Sequence, residues 1–484
     1  MSQTTQESST AGQRLADNPE IAGAIETIVE QLKAHSAEIT DVRGPIEALG
    51  ATYQAHLDMA AAVRGRPLLY PYIGSGLGNG ALVELADGSV KWDMICGIGV
   101  HFFGHSEPDL IAAAVRAGLD DTVKHGNLQS NLQGHAFCET LLAEARKCTK
   151  LDLSYLATSG AMANENALKV CYQKRNGAPR IIAFKDCFMG RSIVLSQIGD
   201  SPGNRVGIPL STMIDYMPFY DEVMAERVGA TRVIDMAVMH LTQYLDRYPD
   251  QHACFIFELV QGEGGFRTAT REYFKALMDV CKDRGVPVWD DEIQTFGRLE
   301  SMFACDMYDL GDYVDVMTVG KMSQACATLF TSDFSPKPGL LSGTFTGETV
   351  SFDVGRLIIE RLRDGDYYGR DGRIARHHKL FREQVRAMAG RHPDWFPPVA
   401  EELGAPGVLD IVGGVGGMMR FSPFGGDKDK VVKACRACYD EGVVLFYCGH
   451  GPYHLRMLPA LGVMREEDWP RVFECVERGL AHVA

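Results

Sequence analysis

FIFELVQGEGGF, residues 255–266, opens a stretch that runs through REYFKALMDVCKDRG (271–285) and VPVWDDEIQTFGR (286–298) to VDVMTVGK (314–321). Three short apolar runs, 255–260, 287–289 and 314–319, alternate with polar, glycine-bearing turns. Between the first two, Phe274, Leu277, Met278 and Cys281 recur at the i, i+3, i+4, i+7 spacing and Gly285 follows, which predicts an amphipathic helix with a glycine stop. Strand, helix, strand is a βαβ unit, and strands apolar throughout predict a parallel sheet buried on both faces. Each strand delivers polar residues at its C-terminal end: Glu258 and Glu263, then Asp291 and Gln294, then Lys321. Ligands of open α/β sheets bind off that edge.

A lysine amine at such an edge can condense with an aldehyde. An aspartate near a pyridine nitrogen keeps it protonated, so that the ring withdraws electrons. Taken singly, each residue also has an ordinary reading. An acidic run after a strand caps a helix with solvated charges, and a lysine after a strand is exposed. The pair in one βαβ context points to pyridoxal phosphate chemistry.

The segments DDEIQTFGR (290–298), ELVQGEGG (258–265) and VGKMSQAC (319–326) resemble, in order and spacing, motifs of the class III or omega aminotransferases, in the branch of 4-aminobutyrate and L-lysine ε-aminotransferases. The likeness runs from about residue 68 to the C-terminus. It implies the fold type I transferase architecture: a parallel-sheet large domain over 101–349 and an α/β small domain from 68–100 and 350–484. Residues 1–20, rich in Ser, Thr and Gln, are expected to be disordered, and 21–67 form a helical extension that covers either a dimer surface or simply the body.

The resemblance carries residue roles with it. Lys321 would hold the cofactor, Asp291 its pyridine nitrogen and Gln294 its phenolic oxygen, with Glu258 beneath the site. In SYLATSGAMANENALKV (154–170), Gly160 and Ala161 would offer amides to the phosphate at a helix start. Phe188, in RIIAFKDCFMGRS (180–192), would stack on the ring, with Met189 standing where relatives carry histidine. Thr344, in SGTFTGETVSFDVG (342–355), would reach the phosphate of a neighbouring subunit, which implies a homodimer. Arg456, in YCGHGPYHLRMLPAL (447–461), would fork onto a substrate carboxylate, paired in alternation with Glu263. Phe102 and Phe103, in GIGVHFFGHSEPDL (97–110), would lie by the substrate channel or else be core, and His105 would support a turn.

Composition limits the alternatives. The chain has 484 residues, a net charge of −15 and no basic tract, which speaks against a nucleic-acid partner. No apolar run reaches membrane-spanning length, and no signal pattern opens the chain. Thirteen scattered cysteines predict reduced thiols and a cytoplasmic enzyme. The CxxC pair Cys435/Cys438 falls in a helical pattern and reads as core, and Cys448, His450 and His454 fit no zinc spacing, so no metal is expected. GSGLGNG (74–80) lacks the pattern of a nucleotide loop; ALVELADGSVKWDM (81–94) after it predicts a hairpin turning at Asp87-Gly88. The expected reaction moves an amino group from an omega-amino acid or related amine to 2-oxoglutarate. The competing readings are acetylornithine or ornithine transamination, an aminomutase or racemase on the same scaffold, and a cofactor binder without catalysis. The identity of the donor is not legible.

Overall fold

The computed structural model describes residues 9–399 and 408–484. Its centre is a seven-stranded sheet: β1 (Leu153–Ala157), β2 (Arg180–Phe184), β3 (Ile214–Met217), β4 (His252–Phe257), β5 (Val288–Glu292), β6 (Val316–Val319) and β7 (Cys326–Phe330), in the order β1-β7-β6-β5-β4-β2-β3. The decisive stretch folds as its pattern predicts. Strand β5 lies parallel to β4 on one side and to β6 on the other, and all three are buried along their whole length. Between β4 and β5, the helix Arg271–Asp283 buries Tyr273, Phe274, Leu277, Met278 and Cys281 as one stripe, capped by Thr270. Gly285 follows with φ 62°, a left-handed position that costs glycine little.

Two features differ from the expectation. Strand β7 runs antiparallel to both β6 and β1, so the sheet is mixed, though parallel pairs dominate it. The short turn Lys321–Ser323 after β6 leaves no room for the long crossover that a parallel strand needs. The glycine-rich stretch is itself a strand, Gly74–Asn79, antiparallel to Leu82–Leu85. A Cβ at Gly78 would lie 2.5 Å from His105 Cβ, so glycine serves a close approach there. His105 binds Asp93 at 2.9 Å, in line with its expected supporting part.

Val90–Asp93 continues the predicted hairpin from Leu82–Leu85 and takes Val443–Val444 as a parallel neighbour, so the two ends of the chain share one sheet. A second small sheet follows from β8 (Val412–Val415), β9 (Met418–Phe421), β10 (Phe446–Cys448) and β11 (His454–Met457), ordered β8-β9-β11-β10. Its tight β8–β9 turn runs through Gly416, whose φ is +55°, and Gly417, while Gly414 inside β8 has φ +97° and an added Cβ there would meet Met418 O at 1.9 Å. Cys435 and Cys438 are buried and free, packed in the helix Lys428–Asp440 as core.

At the N-terminus, the expected disorder extends over a segment that is helical from Ala11 to Ala16. That helix buries nothing and is held by a capping box between Thr10 and Gln13, a local device that composition conceals. Residues 1–8 lie outside the described part. The helices Pro19–Ser36 and Gly50–Arg64 supply the two helical patterns of the extension. Among the described residues no helix is long and apolar enough to cross a membrane.

Candidate active site

The ends of β4, β5 and β6 open onto one cleft of about 240 Å³. Lys321, Asp291, Gln294, Glu258, Phe188, Gly160 and Ala161 all line it. The alternation of side chains along β5 decides which acid faces it. Asp291 points into the cleft, while Asp290 and Glu292 point away, fully buried beside Cys305. Glu292 accepts from Thr295 Oγ1 and from the Cys305 amide at 3.1 Å, whereas both Asp290 oxygens lack partners. Burial and the adjacent Glu292 push the Asp290 carboxyl well above the usual range.

Lys321 stands where β6 ends, with φ 52°. A non-glycine residue in the left-handed region is strained, and such strain collects at functional sites. Burial holds its amine below the ordinary lysine value, while Asp291 and Glu263 pull the other way. A less basic amine is a better nucleophile near neutrality. Asp291 accepts from Asn164 Nδ2 at 2.8 Å and from the Ile293 amide at 3.0 Å. Burial raises its carboxyl to about 6, with those two bonds and Lys321 opposing the rise. Glu258 accepts from the amides of Phe188 (2.9 Å) and Gly262 (3.1 Å), and burial together with Asp291 takes it to about 8.

The floor of the cleft begins at the helix Gly160–Lys174. Ser159 caps it, accepting from the Met162 amide at 3.2 Å. The Gly160 and Ala161 N–H groups therefore stay outside the helix's own bonding, at its positive end. Phe188 is half-buried against the cleft, and Val260 lines it too. The Gln294 and Asn164 side-chain oxygens are buried without partners. This set suits pyridoxal phosphate: free amides at a helix start for a phosphate, an aromatic face for a ring, an acid for a pyridine nitrogen, an unbonded amide for a ring oxygen, and a desolvated lysine for the aldehyde.

The loop 258–263 ties this cleft to the small sheet. Arg456 on β11 is fully buried and sends Nη2 to both Glu263 oxygens, at 2.9 and 3.0 Å. Its Nη1 donates to Gly262 O at 3.4 Å, and the rings of Phe266 and Phe446 flank it. Burial works to raise the Glu263 carboxyl, but Arg456 outweighs it and leaves the group below its ordinary value.

Not every expected residue joins the cleft. Phe102 and Phe103 are 1% and 3% exposed and pack edge-on against each other and Tyr367. Of the two expectations for them, channel or core, the packing is that of core, with Arg298 over the ring of Phe102 and Arg361 over that of Phe103. Thr344 is exposed and away from this chain's own cleft lining. His450 binds Asp186 at 3.2 Å and His454 binds Ser422 at 2.8 Å, each a loop contact. Asn164 and Val260 were not singled out in the sequence. Asn164 lies inside the SGAMANE segment, and its spacing of one helical turn from Gly160 was the available signal.

The buried ion pair yields a stability prediction. Glu263→Ala strands a charged guanidinium in the core and should cost about 3–5 kcal/mol. Glu263→Ala combined with Arg456→Met removes both charges and should unfold at higher denaturant than Glu263→Ala alone. A double variant weaker than the single one would contradict the pairing.

Comparison with known proteins places this geometry. Residues 75–478 match the family model described as aminotransferase class-III. An acetylornithine aminotransferase of Methanocaldococcus jannaschii is 28% identical over 253 residues, covering 50% of this chain and 56% of that protein. A diaminobutyrate–2-oxoglutarate transaminase of Nocardia farcinica is 24% identical over 402 residues, 80% of this chain and 85% of that protein. A solved lysine aminotransferase from M. tuberculosis shares the fold with a TM-score of 0.73 at 20% identity, covering 88% of this chain and 100% of that one. The chain belongs to the class-III aminotransferase family, enzymes that transfer amino groups with pyridoxal phosphate.

Proposed function

We propose that this aminotransferase takes an amino group from an omega-amino acid or related amine and gives it to 2-oxoglutarate. The observation that carries this reading is the two-point Glu263–Arg456 pair at the edge of the Lys321 cleft. An omega-amine lies far from any α-carboxylate, so a bare guanidinium beside the reacting centre would favour the wrong orientation. Glutamate, formed from 2-oxoglutarate, needs that guanidinium for its α-carboxylate. A carboxylate that pairs with Arg456 for one substrate and releases it for the other serves both. The diaminobutyrate–2-oxoglutarate transaminase relative bears the acceptor in its name; acetylornithine relatives support the neighbouring reading, in which the donor is an acylated diamino acid.

When bound, pyridoxal phosphate supplies an aldehyde that takes up amines and a ring that draws electrons from the bond being broken. Lys321 Nζ is the attachment point and the group that moves the proton. Asp291 holds a proton on the pyridine nitrogen, fixed in that direction by Asn164. Gln294 would donate to the phenolic oxygen, Gly160 and Ala161 would hold the phosphate, and Phe188 and Val260 would contact the ring. Glu258, nearly buried and bonded to two amides, supports Asp291 and the 258–263 loop. Thr344, exposed on its own subunit, reaches a partner's phosphate in a homodimer. The small domain gathers 68–100 and 350–484, and the large domain 101–349. Thirteen unpaired cysteines suit the reducing cytoplasm.

A panel of amine donors with 2-oxoglutarate, read by glutamate release, tests the reading. Activity confined to simple amines with pyruvate would exclude it. In the same assay Glu263→Ala should gain kcat/KM toward α-amino groups relative to ω-amino groups, whereas equal slowing of both half-reactions would make Glu263 a loop support only. Asp291→Asn should keep the cofactor and lose at least about a hundredfold in turnover, roughly 2.7 kcal/mol of barrier; near-normal turnover would remove Asp291 from the mechanism. Mixing inactive Lys321→Ala with an inactive Thr344 variant should restore a fraction of activity as subunits exchange. Exchanged dimers that stay dead would place Thr344 outside the partner's site.

A further inference from the structure

A second cavity, of about 260 Å³, lies on the far side of the loop that carries Glu263. Gly264 and Phe266 of that loop form one wall and Gly413 of β8 another. Three arginines line it, Arg267, Arg382 and Arg420. Arg420 is the direct register partner of Arg456 across β9 and β11. Opposed residues of an antiparallel pair point to the same face, so the two side chains leave one face of the small sheet. Their surroundings differ sharply.

Arg456 has Glu263. Arg420, only 5% exposed, has no carboxylate within ion-pair distance among the described residues. Its one side-chain hydrogen bond is a long one, Nη1 to Ser422 Oγ at 3.4 Å, and its Nε is buried without a partner. Arg298, wholly buried, also leaves its Nε unpartnered and has no carboxylate, but both its Nη atoms donate to carbonyls, of Pro459 (3.1 Å) and Gly99 (2.9 Å), where Arg420 has one long bond to a hydroxyl. The chain has made room for Arg420, because a Cβ at Gly413 would lie 2.4 Å from its Cζ. A desolvated cation with so few donors satisfied costs several kcal/mol unless a counter-charge meets it.

Three carboxylates line the cavity as well, each with a partner of its own. Asp410 receives Arg386 at 2.6 Å and Arg382 at 3.2 Å. Asp186 holds His450 at 3.2 Å and faces Arg267 at 3.6 Å, and Glu222 accepts from the Leu409 amide at 3.3 Å. Burial keeps His454 neutral, and its Nδ1 is taken by Ser422. Among the described residues, none of these carboxylates is bonded to Arg420.

We infer that this cavity is an anion site separate from the Lys321 cleft, in which Arg420, with Arg267 opposite, takes a small carboxylate or phosphate anion. Both ligand chemistries offer planar or tetrahedral oxygens to a guanidinium fork. The anion would rest against the loop bearing Glu263, beside the arginine assigned above to substrate carboxylates.

The test is equilibrium dialysis of the cofactor-loaded enzyme with radiolabelled inorganic phosphate, alone and in competition with glutarate. Saturable binding is expected, and Arg420→Met should weaken it at least about tenfold, as loss of a charge-assisted bond requires. Arg420→Lys, which keeps the charge but loses the fork, should fall between. Displacement by glutarate at low concentration identifies a carboxylate site, and resistance to it a phosphate site. Because Arg420→Met removes an unpaired buried charge, it should fold at least as stably as the parent, and its midpoint is measured alongside. Absence of saturable binding of either anion overturns the inference. So does binding that is unchanged in both Arg420 variants.

Discussion

The structure turns on the burial of opposite charges at the C-terminal edge of three parallel strands. Asp291 and Lys321 leave water together, on neighbouring strands, and each tempers the cost of burying the other. Alone, the amine would be driven neutral and the carboxyl protonated. Together they leave a lysine of lowered basicity facing an acid fixed by Asn164, which is the electrostatic state that a pyridine-based electron sink requires. The strand register enforces it: Asp291 faces Thr318 of β6, with Lys321 emerging just beyond that strand's end. A shift of one residue in β5 would present Asp290 instead, an acid whose own surroundings push its carboxyl well above the usual range.

The small sheet applies the same physics with another outcome. Its two adjacent strands place Arg456 and Arg420 in register, one answered by the Glu263 carboxylate from the large-sheet side and the other without a counter-ion among the described residues. Gly413 and Gly416 make this possible, one by yielding space to a guanidinium and the other by turning the chain. The loop 258–266 connects these demands. Glu258 receives the Gly262 amide, Gly262 lies against the Gln294 side chain, and Glu263 holds Arg456. The Lys321 cleft and the Glu263–Arg456 pair therefore share a few residues of backbone.

Much of this was legible in sequence because the βαβ stretch writes its structure in its pattern. The buried runs, the helix stripe and the Gly285 stop all stand at their read positions. What escaped had a physical reason. Strand direction is not encoded in composition, so β7 read as no different from its parallel neighbours. Gly74–Asn79 carries no apolar alternation because close approach, and not burial, selects its residues. The Ala11–Ala16 helix depends on a cap and not on a face. Phe102 and Phe103 follow a motif whose neighbours line a channel, yet their rings turn inward to Tyr367. Arg420, in GGMMRFSP, looks like any arginine after a turn until the register with Arg456 shows it buried.

The most direct measurement of the central claim is borohydride reduction of the cofactor-loaded enzyme followed by peptide mapping. The account predicts a single pyridoxyl-bearing peptide, VGKMSQAC, with the label on Lys321 and none in Lys321→Ala. A label on a different lysine, together with turnover in Lys321→Ala, would contradict it.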